Sequence, residues 1–133
     1  MKKTILDSLL PILCPVFYSS FDKENNEFIF LDCGERIDSI QNREMDKVSC
    51  EAIFNHIHYD FKSYSYCAIK KVMDKIANNL KINLKYNYPN KNFYIYYEIK
   101  KNREVIIRFH QDWKDELPYY PSETFPSLYT IYC

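Results

Sequence analysis

The chain has 133 residues, 47% of them hydrophobic, and its 18 basic and 18 acidic side chains give a formal net charge of zero. This length and hydrophobicity suffice for one domain with its own core and exclude disorder driven by high net charge. The single glycine, Gly34, excludes a glycine-rich phosphate-binding loop. The five cysteines form no C-x-x-C pair, so we expect free thiols in a reducing compartment.

The amino-terminal region begins with two lysines and an apolar stretch, which is also how a secretory signal begins. Asp7 places a charge within that stretch, and Pro11 and Pro15 interrupt it, so it does not fit a signal peptide. No later stretch reaches the roughly 18 apolar residues that a membrane span requires. We therefore expect a soluble cytoplasmic protein without a membrane partner.

The first third of the chain predicts one helix and one strand. Thr4 to Leu10 fits a short helix that Pro11 and Pro15 end, with an extended segment after it. A polar turn over residues 22–26 leads into the first strand candidate, Glu27 to Cys33, in which the side chains alternate.

The next segment is less regular. Gly34 to Lys47 is charged and weakly periodic, which indicates either a surface loop or an irregular helix. Ser49 to His56 fits a second helix, with Ser49 as the N-cap and with Ala52 and Ile53 facing inward.

The clearest helix begins near Ser63 or Ser65 and ends near Leu80. Apolar residues recur along it at spacings of three and four, as one buried helix face requires. They are Ala68, Ile69, Val72, Met73, Ile76 and Leu80.

After this helix the apolar period changes to two, which predicts three strands near residues 82–87, 93–99 and 105–110. The connections at 88–91 and 100–103 are short enough for antiparallel hairpins. The sequence therefore predicts a β-meander packed on the long helix.

The tail is rich in proline and aromatic residues, which predicts an ordered loop that ends in a short strand, Leu128 to Tyr132. The aromatic residues expected to hold it in place are Trp113, Tyr119, Tyr120 and Phe125. Together these elements predict a single α+β domain over residues 1–133 with a mostly antiparallel sheet.

One run of the sequence has the residue types that bind metals or transfer protons. In a strand, His56, His58 and Asp60 share a face, and His110 is a possible third imidazole. The alternative is that these histidines are ordinary surface or partly buried residues. The sequence contains no second cluster of defined spacing, so we predict no catalytic residue, no metal ligand and no cofactor.

Charge is distributed unevenly along the chain. Residues 63–110 carry ten basic and three acidic side chains, whereas the segments on either side are acidic. One interpretation is a nucleic-acid platform, in which Lys85, Tyr94, Tyr96 and Arg108 share a sheet face. The alternative is that the amino-terminal elements or the tail cover this face.

The acidic amino-terminal part offers a different partner. Its carboxylates are interspersed with Phe21, Phe28, Phe30 and Ile40, a mixture that suits a basic protein partner. The candidate partner-binding residues are Asp22, Glu24, Glu27, Asp32, Glu35 and Asp38.

In general character the chain resembles the small immunity proteins that neutralise toxins of bacterial contact-dependent growth inhibition and related polymorphic toxin systems. The segments that contribute to the resemblance are Glu27 to Cys33, Asn92 to Glu98 and Arg108 to Trp113. It implies a non-enzymatic α+β protein that binds a cognate toxin domain, with a nuclease as the expected toxin, and blocks its active site. The alternative function is a small nuclease or nucleic-acid-binding protein that uses His56, His58 and the basic sheet face.

Overall fold

The computed structural model describes residues 5–32, 40, 44–120 and 128–133, and only the backbone of residues 5–8. The helices are α1 (Ile5–Leu13), α2 (Lys47–Phe54) and α3 (Tyr66–Asn87), and the strands are β1 (Phe17–Phe21), β2 (Glu27–Leu31), β3 (His56–Asp60), β4 (Phe93–Ile99), β5 (Glu104–Gln111) and β6 (Leu128–Tyr132). The strands form two antiparallel sheets, β1-β2 and β3-β5-β4-β6. The predicted α+β class is confirmed.

Helix α1 continues past the residue at which we predicted its end. Pro11 lies inside it, and the last turn is closed by the Cys14 N–H, which donates to the Leu10 carbonyl at 2.9 Å. A proline removes only one hydrogen bond from the helix, and packing offsets this loss. Asn79 of α3 donates to the Leu13 carbonyl at 2.9 Å and thereby satisfies the end of α1.

Strands β1 and β2 form a hairpin around the predicted polar turn. Asp22 is nearly buried there, and its carboxylate accepts hydrogen bonds from the backbone of Glu24 and Asn26. Asn25 adopts a φ of 63°, which asparagine tolerates well. The predicted strand from Glu27 is confirmed as β2, and the extended segment before it is a strand as well.

Helix α2 begins two residues earlier than predicted. Its N-cap is Asp46, whose carboxylate accepts from the Ser49 N–H at 2.7 Å, so Ser49 is not the cap. Ala52 is buried as predicted, whereas Ile53 is exposed. The helix ends at Phe54, and His56 is already in strand β3.

Helix α3 begins as predicted, with Ser65 as its N-cap, but it runs seven residues beyond Leu80. The first strand of the predicted meander is therefore wrong, because residues 82–87 are the last two turns of α3. Leu84 continues the buried helix face, while Ile82 and Tyr86 are exposed. Alternation over so short a run does not distinguish a strand from a helix.

Asparagines stabilise this carboxyl-terminal part of α3. The Asn83 side chain donates to the Asn79 carbonyl, and the Asn87 side chain donates to the Asn83 carbonyl, both at 2.8 Å. These bonds hold three asparagines in a helix that their intrinsic propensity disfavours.

Strands β4 and β5 form the predicted hairpin, whose turn contains Arg103 at a φ of 65°. The predicted strand over residues 128–132 is confirmed as β6, which pairs with β4, and β3 pairs with β5 at the opposite edge. The main core lies between one face of this sheet and helices α1 and α3. A second cluster is formed by Phe28, Phe30, Ile40 and Cys50, with Tyr18 and Trp113 packed against it.

None of the helices in the described ranges is long and apolar enough to cross a membrane.

Two leucine-sized side chains near the end of α3 distinguish the helix from the predicted strand. Because Leu84 is fully buried and Ile82 is 58% exposed, we expect Leu84→Ala to lower the free energy of unfolding by about 2–5 kcal/mol. Ile82→Ala should change it by less than about 1 kcal/mol. Urea denaturation of both variants measures the difference, and equal losses would contradict a helix at this position.

Candidate partner-binding surface

A buried carboxylate lies at the centre of the contact between the two sheets. Glu51 of α2 is fully buried, and both of its oxygens accept hydrogen bonds only from N–H groups. Oε2 accepts from the Ile29 backbone at 2.9 Å and from the Gln111 side chain at 2.8 Å. Oε1 accepts from the Gln111 backbone at 2.9 Å and from the Trp113 indole at 2.7 Å.

One turn later, Asn55 completes the same contact. Its side-chain oxygen accepts from the Leu31 N–H at 2.8 Å, and its amide donates to the Ile29 carbonyl at 2.9 Å. Strand β2 pairs with β1 along its other edge, so Glu51 and Asn55 together cover the edge that β1 leaves open. An uncovered edge would offer unpaired backbone groups to other chains.

Burial raises the pKa of Glu51 from an ordinary 4.5 to about 7, although the surrounding hydrogen bonds lower it. Sequence analysis did not single out this residue. Its spacing in the sequence indicates its position. Glu51 and Ala52 lie three and four residues after Val48, and Asn55 lies four residues after Glu51, so these four residues share the inward face of the helix.

Above this buried contact, α2 is bordered by four exposed apolar side chains. Met45 precedes the helix, Ile53 and Phe54 lie in its last turn, and Leu117 lies in the loop against its first turn; their exposed fractions are 36%, 38%, 47% and 86%. The exposed carboxylates at the amino-terminal end of the helix are Glu44, Asp46 and Asp115. We refer to these seven residues as the α2 surface.

The loop that carries Leu117 is fixed to the helix. Glu116 accepts hydrogen bonds from the Val48 N–H at 2.8 Å and the Lys47 N–H at 3.1 Å, which satisfies the first turn of α2. The Lys47 ammonium pairs with Asp115 at 2.8 Å and lies 4.8 Å from the centre of the Trp113 ring. The first turn of α2 and the loop that carries Leu117 are therefore held together in one arrangement.

The acidic residues predicted from the sequence are not gathered in one place. Asp22 is engaged in its own turn, and Glu24 is exposed at the tip of the hairpin. Glu27 pairs with Lys91 at 3.2 Å, and Asp32 follows the far end of β2. Glu35 and Asp38 lie outside the described residues.

The aromatic residues predicted beside them are also placed differently. Phe28, Phe30 and Ile40 form the second hydrophobic cluster and are buried, and only Phe21 is exposed. Of the described apolar residues that border α2, the exposed ones are those of the α2 surface, because Phe28, Phe30 and Ile40 are packed inward in the second cluster.

His56 to Asp60 form strand β3, the conformation in which we expected His56, His58 and Asp60 to share a face. His56 and His58 lie on one face of this edge strand, with their ring centroids 5.0 Å apart. Burial and the neighbouring His56 lower the pKa of His58. No group of three or more potential metal ligands occurs within the part of the chain that the structure describes.

His110 does not join the other two histidines. It is fully buried on β5, where Nε2 accepts from the Tyr119 N–H at 3.2 Å and lies 3.0 Å from the Tyr96 hydroxyl. Nδ1 donates to the Gln111 carbonyl at 2.6 Å. Burial lowers its pKa, so His110 is a neutral structural residue rather than a third ligand.

The sheet face proposed as a nucleic-acid platform is covered by the tail. Tyr96 is 1% exposed and packs edge-on against Tyr120, with ring centroids 4.9 Å apart. The Arg108 guanidinium lies 4.8 Å from the Tyr119 ring and donates to the Ala52 carbonyl. Lys85 is on α3 rather than on this face, so the predicted stacking surface is not formed.

No protein-family model, curated protein or solved structure matches the chain. The arrangement itself defines an α+β protein in which a buried carboxylate joins two antiparallel sheets beneath an apolar and acidic helix surface.

Removing the buried carboxylate should disrupt the contact between the two sheets and destabilise the protein. Glu51→Ala leaves four buried donors without an acceptor, so we expect a loss of about 3 kcal/mol or more in the free energy of unfolding. Glu116→Ala is the matched control, because that carboxylate also binds two backbone N–H groups but lies nearer the surface. Its loss should be about 1 kcal/mol. Chemical denaturation compares the two, and a smaller loss at Glu51 would refute its central role.

The raised pKa of Glu51 also predicts a dependence of stability on pH. Between about 4.5 and 7 the folded protein binds a proton that the unfolded chain has already released. The stabilisation is therefore complete below pH 4.5 and is lost as pH rises through 7, by a total on the order of 3 kcal/mol. Glu51→Gln has no such group, and the contributions of the histidines cancel in the comparison. Denaturation from pH 5 to pH 8 should show wild type losing stability relative to this variant; the opposite slope would contradict the assignment.

Proposed function

We propose that this chain is an immunity protein that binds a cognate bacterial toxin domain in the cytoplasm and neutralises it without catalysis or a cofactor. The observation that carries the proposal is the α2 surface, where exposed Met45 and Leu117 lie beside carboxylates at the start of the helix and exposed Ile53 and Phe54 lie at its end. Interfaces combine an apolar centre with a polar rim in this way.

The support beneath this surface favours tight binding. Glu51 and Asn55 hold α2 against the β1-β2 hairpin, and Glu116 holds the Leu117 loop against α2. A surface that is already ordered loses little conformational entropy when a partner binds.

The charge of the surface indicates the chemistry of the partner. Glu44 and Asp46 favour a basic partner, whereas Asp115 is already paired with Lys47 at 2.8 Å. A nuclease domain is basic where it contacts phosphate. Covering that region would exclude the nucleic acid. Exposed Glu24 extends the candidate partner-binding residues beyond α2, whereas the hydrogen bonds of Asp22 suit a structural role. The other candidates from the sequence are Glu27, Asp32, Glu35 and Asp38.

The test is co-expression with the domain encoded by the gene directly upstream, followed by size-exclusion chromatography and titration calorimetry. We expect a one-to-one complex that abolishes the toxicity of that domain. Leu117→Lys should weaken the complex by about tenfold or more, or about 1.4 kcal/mol, because it places a cation on the surface that faces a basic partner.

Tyr86→Lys is the matched control, since Tyr86 and Leu117 are both 86% exposed but Tyr86 lies at the end of α3. This variant should bind as wild type does. Glu24→Lys measures the contribution of the hairpin tip separately. Absence of a toxin domain upstream, or of any complex with it, would refute the proposed function, and equal weakening by Leu117→Lys and Tyr86→Lys would refute the α2 surface as the interface.

A further inference from the structure

Two imidazole rings lie next to each other on an accessible edge strand of the four-stranded sheet. His56 and His58 are two residues apart in β3, so their side chains project from the same face. Their ring centroids are 5.0 Å apart and the ring planes are inclined by 85°. The proposed immunity function does not use this pair.

The separation fits coordination of one metal ion by both rings. A zinc–nitrogen bond of 2.0–2.1 Å places each ring centroid about 3.2 Å from the metal, and a tetrahedral angle then separates the two centroids by about 5.2 Å. The observed separation of 5.0 Å is close to this value.

A backbone contact prepares His56 for this role. Nδ1 of His56 is hydrogen-bonded to the Ile53 carbonyl, and because a carbonyl oxygen only accepts, Nδ1 carries the proton. The lone pair of the neutral ring is therefore on Nε2. Histidines that bind metals are oriented in this manner by a hydrogen bond to the other ring nitrogen.

We propose that His56 and His58 form a two-histidine site for a borderline divalent transition metal such as Zn²⁺, with water in the remaining coordination positions. Imidazole nitrogens are suited to Zn²⁺, Ni²⁺ and Cu²⁺ and unsuited to Mg²⁺ or Ca²⁺. The site is independent of the toxin-binding proposal.

The neighbouring charges moderate the affinity. Arg108 pairs with His56 across the sheet, but its guanidinium is directed to the Tyr119 ring and the Ala52 carbonyl. Arg108 and Lys100 both act on His58 as positive charges, and Glu104 opposes them. Asp60 shares the face of the two histidines, but its carboxylate lies 3.4 Å from the Lys62 ammonium.

The test uses the full chain without a histidine tag, stripped of metal and titrated with Zn²⁺ by calorimetry. We expect one Zn²⁺ per chain, with His56→Ala and His58→Ala each weakening binding by about tenfold or more, since each removes one of two protein ligands. Asp60→Asn, a change on the same face of the same strand, should leave the affinity unchanged.

Nitrogen chemical shifts of the histidine rings provide a second measurement that does not depend on variants. Zn²⁺ should shift Nε2 of His56 and one nitrogen of His58, whereas the buried ring of His110 should not respond. Zinc binding that persists in the double variant, or that leaves the His56 and His58 rings unshifted, would overturn the proposal.

Discussion

The structure depends on the hydrogen bonds that Glu51 and Asn55 make to the outer edge of β2. Among the described residues no strand pairing joins the hairpin β1-β2 to the four-stranded sheet, so side chains of α2 and the end of β5 make the hydrogen bonds that connect them. A buried carboxylate is tolerated there because four N–H groups surround it. If this contact opened, β2 would expose its edge, and the cluster of Phe28 and Phe30 beneath α2 would lose its cover.

The same helix links both proposals. Its inner face is bound to the hairpin, its outer side borders the α2 surface, and the Ile53 carbonyl in its last turn orients His56. Ile53 belongs to both sites, because its side chain is exposed on the α2 surface and its carbonyl accepts a hydrogen bond from His56. A metal ion at His56 and His58 would therefore lie next to the surface through which we propose that a toxin domain is bound.

Sequence patterns predicted those elements whose periodicity is local. Strands β4, β5 and β6 and the start of α3 at Ser65 follow from alternation or from a capping residue. The errors occurred where a second pattern competed. Residues 82–87 alternate as a strand does, yet Leu84 lies four residues after Leu80 and continues the buried face of the helix. Pro11 did not end α1, because packing of Leu9 and Ile12 outweighs one missing hydrogen bond.

By itself, the sequence determined the α+β class, the long helix, and the carboxyl-terminal hairpin with its later edge strand. These properties follow from spacing along the chain. Only the tertiary structure decided that Glu51 is buried, that Tyr119 and Tyr120 cover the face carrying Tyr96, and that exposed apolar groups border α2 rather than the acidic segment. The physical reason is that burial depends on which surfaces meet, and residues such as Glu51 and Gln111 are brought together across 60 positions of the chain.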